Sequence, residues 1–222
     1  MSARHGPALE EAISSGVQAM GFPIDPEQAR RLGGFLRLLE KWNRSINLTA
    51  VHDPQEMVAR HILDSIAALP WVRGRRLLDV GSGAGLPGLP LAIMRPDLRV
   101  ILLDSRGRRI QFLNLVAAQL ELKNVETVHS RVQQYRPREK FDTLAARAFA
   151  AIPDLLSATS HLCRRQGRIL ALKGHRPDAE LRDLEQSHGV ATAVHRVDIP
   201  GLRAQRHIVV IEPRPENSRT RE

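Results

Sequence analysis

Two acids and a run of glycines are the residues of this chain whose types and spacing bear most directly on chemistry. Leu77-Leu78-Asp79-Val80-Gly81-Ser82-Gly83-Ala84-Gly85-Leu86-Pro87-Gly88 is a short apolar run that ends in an acid and passes into a glycine-rich turn. It reads as a strand feeding a tight loop at the head of a helix. Pro87 suits the first helical position, where its fixed φ is already helical and its missing N–H costs no hydrogen bond. Glycine leaves no side chain in the way, so a nucleoside-bearing ligand can lie directly against such a loop. A second acid, Asp104, closes the apolar run Arg99-Val100-Ile101-Leu102-Leu103-Asp104. It stands about 20 residues beyond the loop, where a carboxylate at a strand end accepts hydrogen bonds from ribose hydroxyls.

The glycines alone leave the ligand open. Counted from Gly83, the spacing is G-x-G-x-x-G, the dinucleotide fingerprint; counted from Asp79, it is D-x-G-x-G-x-G, the loop of S-adenosylmethionine (AdoMet) methyltransferases. A phosphate-binding P-loop is excluded, because no Gly-Lys-Ser/Thr follows. His61, His129, His161 and His207 lack metal-ligand spacing and read as packing or surface residues, so no metal is expected. The single cysteine, Cys163, excludes an internal disulfide and reads as a small core residue within an apolar helical stretch.

The elements that must position these residues fall into two regions and a tail. Residues 1–70 read as a helical extension. Leu32, Phe35, Leu36, Leu38, Leu39 and Trp42 recur at helical spacing, and Met57, His61, Ile62, Asp64, Ser65, Ile66 and Leu69 form a second such segment with Asp53 as N-cap. Residues 71–212 alternate strand and helix patterns. Strands are expected at 76–80, 99–104, 125–129, 141–146, 167–172, 192–198 and 206–212, and helices at 88–95, 106–120, 152–163 and 177–187. That alternation predicts an α/β fold, a parallel sheet covered on both faces with the ligand at the carboxyl ends of the strands. The last two strands flank Pro200-Gly201 and read as a hairpin that puts an antiparallel strand in the sheet. The tail 213–222 is polar and charged and is expected to be disordered.

Charge adds a statement about partners. The net charge is +9, and residues 71–150 carry 14 Lys/Arg against 7 Asp/Glu, whereas residues 1–70 carry 7 against 8. A positive excess seated in the folded core suits a surface that meets a polyanion, although an Arg-rich composition across the source proteome is the competing account. The first residues lack an apolar signal segment, and no run of about 18 apolar residues exists, so neither secretion nor a membrane span is expected and the cytoplasm is the simplest compartment.

One glycine loop, seven candidate strands and a closing hairpin leave no room for the second domain a dinucleotide enzyme needs. The arrangement resembles the class I (Rossmann-like) AdoMet methyltransferase fold, whose seven-stranded sheet ends in an antiparallel strand. The segments Leu39–Thr49, Arg60–Ser65, Ser130–Val132, Ala146–Ala150, Ala171–Gly174 and Arg206–Ile211 narrow it. From about residue 30 to 211 the chain resembles the RsmG (GidB) family, which methylates N7 of one guanine in bacterial 16S ribosomal RNA. Ser82-Gly83-Ala84 and Gln205 depart from residues common in that family.

The resemblance implies that Gly81 and Leu86 contact AdoMet, that Gly83 and Gly85 shape the turn, and that Val132 and Gln133 flank the adenine. It also implies that Asp79 faces the methionine end of the cofactor, while Asp104 keeps the ribose role. Arg147, at the end of the fourth strand, is a candidate for gripping an RNA phosphate, the cofactor carboxylate or guanine. Lys173 and Arg206 are candidates for holding RNA. Asp64 is a positioning candidate that also suits a helix cap or a pair with Arg60. Guanine N7 carries a lone pair and no proton, so no catalytic base is expected, and positioning residues supply the rate. The small ribosomal subunit or its RNA is the expected partner of a monomer. Another RNA, a protein or a small molecule as methyl acceptor, and a non-catalytic nucleic-acid-binding module, are the alternatives.

Overall fold

The computed structural model describes residues 6–149, 151–187 and 190–213. The chain begins with α1 (Gly6–Ala19) and α2 (Pro26–Ile46). At the start of α2, Asp25 accepts the Gln28 N–H at 2.7 Å while the Gln28 side chain accepts the Asp25 N–H at 3.0 Å, so two otherwise orphaned donors are satisfied reciprocally. A third helical run joins α3 (Pro54–Met57), a π-helical turn (Val58–Leu63) and α4 (Asp64–Ile66). Asp53 caps it through the Gln55 N–H at 2.9 Å, as its type and position imply.

Among the described residues, seven strands then form one sheet in the order β3-β2-β1-β4-β5-β7-β6. They are β1 (Arg76–Val80), β2 (Arg99–Asp104), β3 (Val125–His129), β4 (Phe141–Arg147), β5 (Cys163–Lys173), β6 (Val190–Val197) and β7 (Arg206–Pro213). Only β7 runs against its neighbours, pairing antiparallel with β5 and β6. Four helices cross over: α5 (Gly88–Met94), α6 (Gly107–Gln119), α7 (Ile152–Thr159) and α8 (Asp178–Ser187). This is the expected class I fold with its antiparallel last strand.

Both sheet faces are buried, so the central strands read as continuous apolar runs. Leu77, Val100 and Leu102 face a core shared with Leu32, Phe35, Leu36, Ile62 and Ile66 of the helical extension. Leu78, Ile101 and Leu103 face the opposite core with Ile152, Leu155 and Leu184. The change near residue 70 is therefore one of element type, since the extension and the sheet share a core. Strand order reverses between β1 and β4, and the crevice at that switch point lies at the carboxyl ends of the strands.

The expected elements shift in three places. Cys163 lies at the start of β5, not in a helix: α7 stops at Thr159, a 3₁₀ turn spans Ser160–Leu162, and Cys163 pairs with Phe141. A register shift between Phe141 and Thr143 makes that pairing possible. Gly167 lets the bulged strand close up, since a Cβ there would lie 2.8 Å from Cys163 Sγ and 3.0 Å from the Asp142 carbonyl oxygen. Pro87 occupies the cap position (φ −91°, ψ 0°) rather than the first helical one, because the Gly88 N–H is taken by Asp79 and the helix begins with Gly88. Pro213 closes β7, and residues 214–222 of the expected tail lie outside the described residues.

The loop glycines are required for different reasons. A Cβ on Gly88 would collide with Leu102 and lie 2.6 Å from Asp79 Oδ2, whereas a Cβ on Gly81 (φ +69°) meets nothing within 4 Å. Gly88→Ala is therefore expected to lower stability by about 1–3 kcal/mol through overpacking. Gly81→Ala is expected to cost about 1 kcal/mol, through its left-handed backbone alone. Urea unfolding of the two variants beside the parent checks the order.

Candidate active site

Two carboxylates at the ends of neighbouring strands shape the glycine loop. Asp104 ends β2, and its Oδ2 accepts the Gly83 N–H at 2.9 Å and Arg109 Nη1 at 3.3 Å, while its Oδ1 accepts the Arg106 N–H at 2.8 Å. Asp79 lies in β1 and is fully buried; its Oδ2 accepts the Gly88 N–H at 2.9 Å. Between these anchors Gly81, Gly83 and Gly85 all take positive φ (69°, 57° and 87°), a region open to glycine without strain.

The loop opens onto a cavity of about 270 Å³ lined by Gly81, Asp104, Val132, Gln133, Arg131 and Phe149, among others. Four residues proposed from the sequence, Gly81, Asp104, Val132 and Gln133, thus meet on one surface. Val132 and Gln133 reach it from a 3₁₀ turn (Val132–Gln134) that follows β3. Leu86 does not line this cavity: its side chain is buried in the core beneath the loop. Gly83 and Gly85 shape the turn from outside the lining. Arg131 and Phe149 were missed by sequence reasoning. The signal available for Phe149 was an aromatic residue two positions beyond a strand end, where this fold places ligands.

Asp79 carries the strongest electrostatic anomaly. Its Oδ1 is buried with no hydrogen-bond partner. Burial pushes its pKa up to about 7, against the opposing pull of the Gly88 N–H, the Ser82 hydroxyl and the Arg147 charge. Asp79 itself lines neither this cavity nor a second one beside the end of β4; Val80 and Gly81, which follow it in the chain, line the first.

A second cavity, of about 380 Å³, lies beside the end of β4 and is lined by His61, Asp64, Arg147, Lys173, Arg206 and His207, among others. Arg147 is the last residue of β4, as expected, and Ala148 after it adopts φ +55°, a strained conformation for a residue with a Cβ. Arg147 Nη1 donates to Asp64 Oδ2 at 3.3 Å and to the Arg60 carbonyl at 2.9 Å. Arg206 Nε donates to Asp64 Oδ1 at 2.9 Å. The expected pair with Arg60 is not formed: Arg60 meets Glu56 at 3.8 Å, and Asp64 binds the two more distant arginines because the π-helical turn faces the ends of β4 and β7. The Arg147 charge also acts on Asp79, and the residues after it, Ala148 and Phe149, line the second and first cavities respectively. Lys173 Nζ meets Glu180 at 3.4 Å, and Glu180 also accepts the Ile152 N–H.

The helical extension reaches this second cavity through buried polar contacts. Asn43 accepts the Leu48 and Thr49 N–H groups at 2.6 and 2.8 Å and donates to the Thr49 carbonyl. Thr49 Oγ1 in turn meets His61 Nε2 at 2.9 Å. Burial and the Arg147 charge pull the His61 pKa down to about 4, so the ring is neutral at pH 7. His61 and His207 are buried and line the cavity, whereas His129 is exposed and His161 half-buried. Among the described residues no group of three or more His, Cys, Asp or Glu side chains is placed to hold a metal. Nor is any helix among them long and apolar enough to cross a membrane. A larger groove, of about 710 Å³, runs between α1, the π-helical turn and the β6–β7 loop and shares Arg60 with the second cavity.

Residues 28–209 match the family rRNA small subunit methyltransferase G (GidB). The chain belongs to this family. Ribosomal RNA small subunit methyltransferase G of Stutzerimonas stutzeri is 46% identical over 203 residues, covering 90% of this chain and 94% of that protein. The protein of the same name from Serratia proteamaculans is 45% identical over 205 residues, covering 92% and 99%. Solved structures share the fold at low identity. A SAM-dependent methyltransferase from Aquifex aeolicus has TM-score 0.57 and 16% identity, covering 75% of this chain and 97% of its own. The glycopeptide N-methyltransferase MtfA, complexed with S-adenosyl-L-methionine, has TM-score 0.58 and 10% identity, covering 69% and 87%. The region matched to the family contains Asp104 of the first cavity, Asp64 of the second and the two arginines that hold Asp64.

The Asp79 anomaly has a measurable consequence. The folded state keeps the Asp79 proton up to about pH 7, while the unfolded chain releases it near its ordinary value of 3.8. This group's contribution to stability is therefore full below about pH 4 and is lost as the pH rises through about 7. Asp79→Asn is expected to match the parent's urea midpoint near pH 4 and to exceed it by pH 8, with the ligand-free protein titrated across that range.

Proposed function

We propose that this protein transfers a methyl group from S-adenosylmethionine to N7 of a guanine in small-subunit (16S) ribosomal RNA. Family membership supports the reaction class and the RNA. The observation that carries the site assignment is a pair of cavities at the carboxyl ends of the strands, one beside the glycine loop and one lined by arginines, to which the consecutive residues Phe149 and Ala148 contribute.

The residues of the first cavity fit AdoMet. Open space at Gly81 admits a ligand against the backbone, Val132, Gln133 and Phe149 offer walls for an adenine, and Asp104 retains accepting capacity for ribose hydroxyls. The unfilled Oδ1 of Asp79 suits the cofactor's ammonium, and Arg147 suits its carboxylate. When bound, AdoMet supplies an electrophilic methyl group on its sulfonium.

Everything else is placement by this chain. Arg147, Lys173 and Arg206 give the second cavity the charge to hold a phosphate-flanked nucleotide. The purine N7 needs no deprotonation, so the neutral His61 ring has no proton to take. Its part is to keep the Arg60–Asp64 turn in place through Thr49. Catalysis then rests on holding N7 in line with the methyl group and excluding water. A ribosomal substrate places the work in the cytoplasm, and both cavities are built from one chain, so a monomer suffices.

Incubation of the purified protein with labelled AdoMet and unmodified small-subunit particles or their RNA, followed by mapping, is expected to place the label on N7 of a single guanine. Label on another atom or another class of acceptor would replace this reading. Lys173→Ala is expected to weaken RNA binding and to lower the slope of log affinity against log salt by about one, leaving the AdoMet Kd unchanged.

A further inference from the structure

We infer that Asp64 is the residue that selects guanine, by accepting hydrogen bonds from the N1–H and the N2 amino group of the target base. The inference deepens the N7 reading above and rests on it. Its starting observation is the composition of the second cavity: four cationic side chains, two histidines and one acid, Asp64. An RNA phosphate needs the cations. It does not need a carboxylate, which repels it, so the acid calls for a separate account.

The clasp around Asp64 sets its geometry. Arg206 Nε takes Oδ1 at 2.9 Å and Arg147 Nη1 takes Oδ2 at 3.3 Å, from strands 142 and 83 residues away in sequence. Each guanidinium is held again from behind, Arg147 by the Arg60 carbonyl and Arg206 by the Gln205 carbonyl, both at 2.9 Å. A carboxylate has about four lone-pair sites, so one acceptor direction on each oxygen remains after the arginines are served. Two adjacent acceptors held rigidly in one plane match one base edge. Guanine alone presents two donors side by side, N1–H and N2–H. Adenine presents an acceptor at N1, cytosine an acceptor at N3, and uracil a single donor between two acceptors.

The chemistry adds a reason for this edge to be read during the reaction. As N7 acquires a fourth bond's charge, the purine becomes cationic and its N1–H more acidic, so a hydrogen bond from N1–H to Asp64 strengthens along the reaction coordinate. An interaction that is stronger in the transition state than in the bound substrate raises the rate as well as the affinity. Contact at the Watson–Crick edge also leaves N7, on the opposite side of the purine, free to face the methyl donor.

The test alters the base rather than only the protein. Small-subunit RNA carrying inosine at the mapped guanine lacks the N2 amino group and keeps N7. The parent protein is expected to lose about tenfold in kcat/KM on the inosine substrate. Asp64→Asn, verified as folded by circular dichroism and its urea transition, is expected to be slower on guanine yet to show a guanine-to-inosine ratio near one. Asp64→Ala, which also removes both acceptors, carries the same comparison if the asparagine variant does not fold. A parent ratio near one, or equal ratios for parent and variant, would overturn the inference, because a purely structural clasp slows both substrates alike. Failure of the parent to methylate N7 of the guanine substrate would instead remove the reading on which the inference rests.

Discussion

Two buried carboxylates hold the loop on which the site depends. Asp79 and Asp104 end or nearly end adjacent parallel strands, and each spends an oxygen on a backbone N–H of the loop between them, Gly88 and Gly83 respectively. Those bonds set the start of α5 and the depth of the turn, and they leave Gly81 facing open space. Burying a carboxylate is costly unless it is paired, and Asp79 meets that cost only in part: one oxygen has a partner and the other has none. In the proposed reading the cofactor's ammonium fills that oxygen, and the burial that raises the Asp79 pKa is what makes the exchange favourable.

The helical extension completes the substrate side. Its own core is continuous with one face of the sheet, so the π-helical turn is carried to the ends of β4 and β7 by ordinary packing of Ile62, Leu63 and Ile66. Asp64 then closes a clasp with Arg147 and Arg206, and Asn43 and Thr49 hold His61 behind it. The charge on Arg147 acts on both Asp64 and Asp79.

Much of this was legible in the sequence, for identifiable reasons. Every strand core was visible, because parallel strands buried on both faces are written as unbroken apolar runs such as Val100–Leu103. The loop was legible because positive φ at Gly81, Gly83 and Gly85 leaves few other residues acceptable. The pairing of Cys163 with Phe141 was not, since a bulge permitted by Gly167 depends on the neighbouring strand and has no local signature. The Asp64 clasp was hidden for the same reason: its partners lie far apart in the chain, and sequence spacing offered only the nearby Arg60. Leu86 carried an expected ligand contact but lies in the core, where an apolar residue at a loop end goes when the helix packs down.

Asp79 is proposed to be a buried acid that receives the positive charge of the cofactor. Its side-chain carboxyl signal, resolved by isotope-edited infrared or carbon NMR against Asp79→Asn, can be titrated with and without AdoMet. Without ligand it is expected to titrate near pH 7, and with AdoMet bound its midpoint is expected to fall well below that value, as an ammonium fills the open oxygen. A midpoint that stays in the ordinary carboxylate range without ligand, or one that AdoMet leaves unmoved, would contradict the account.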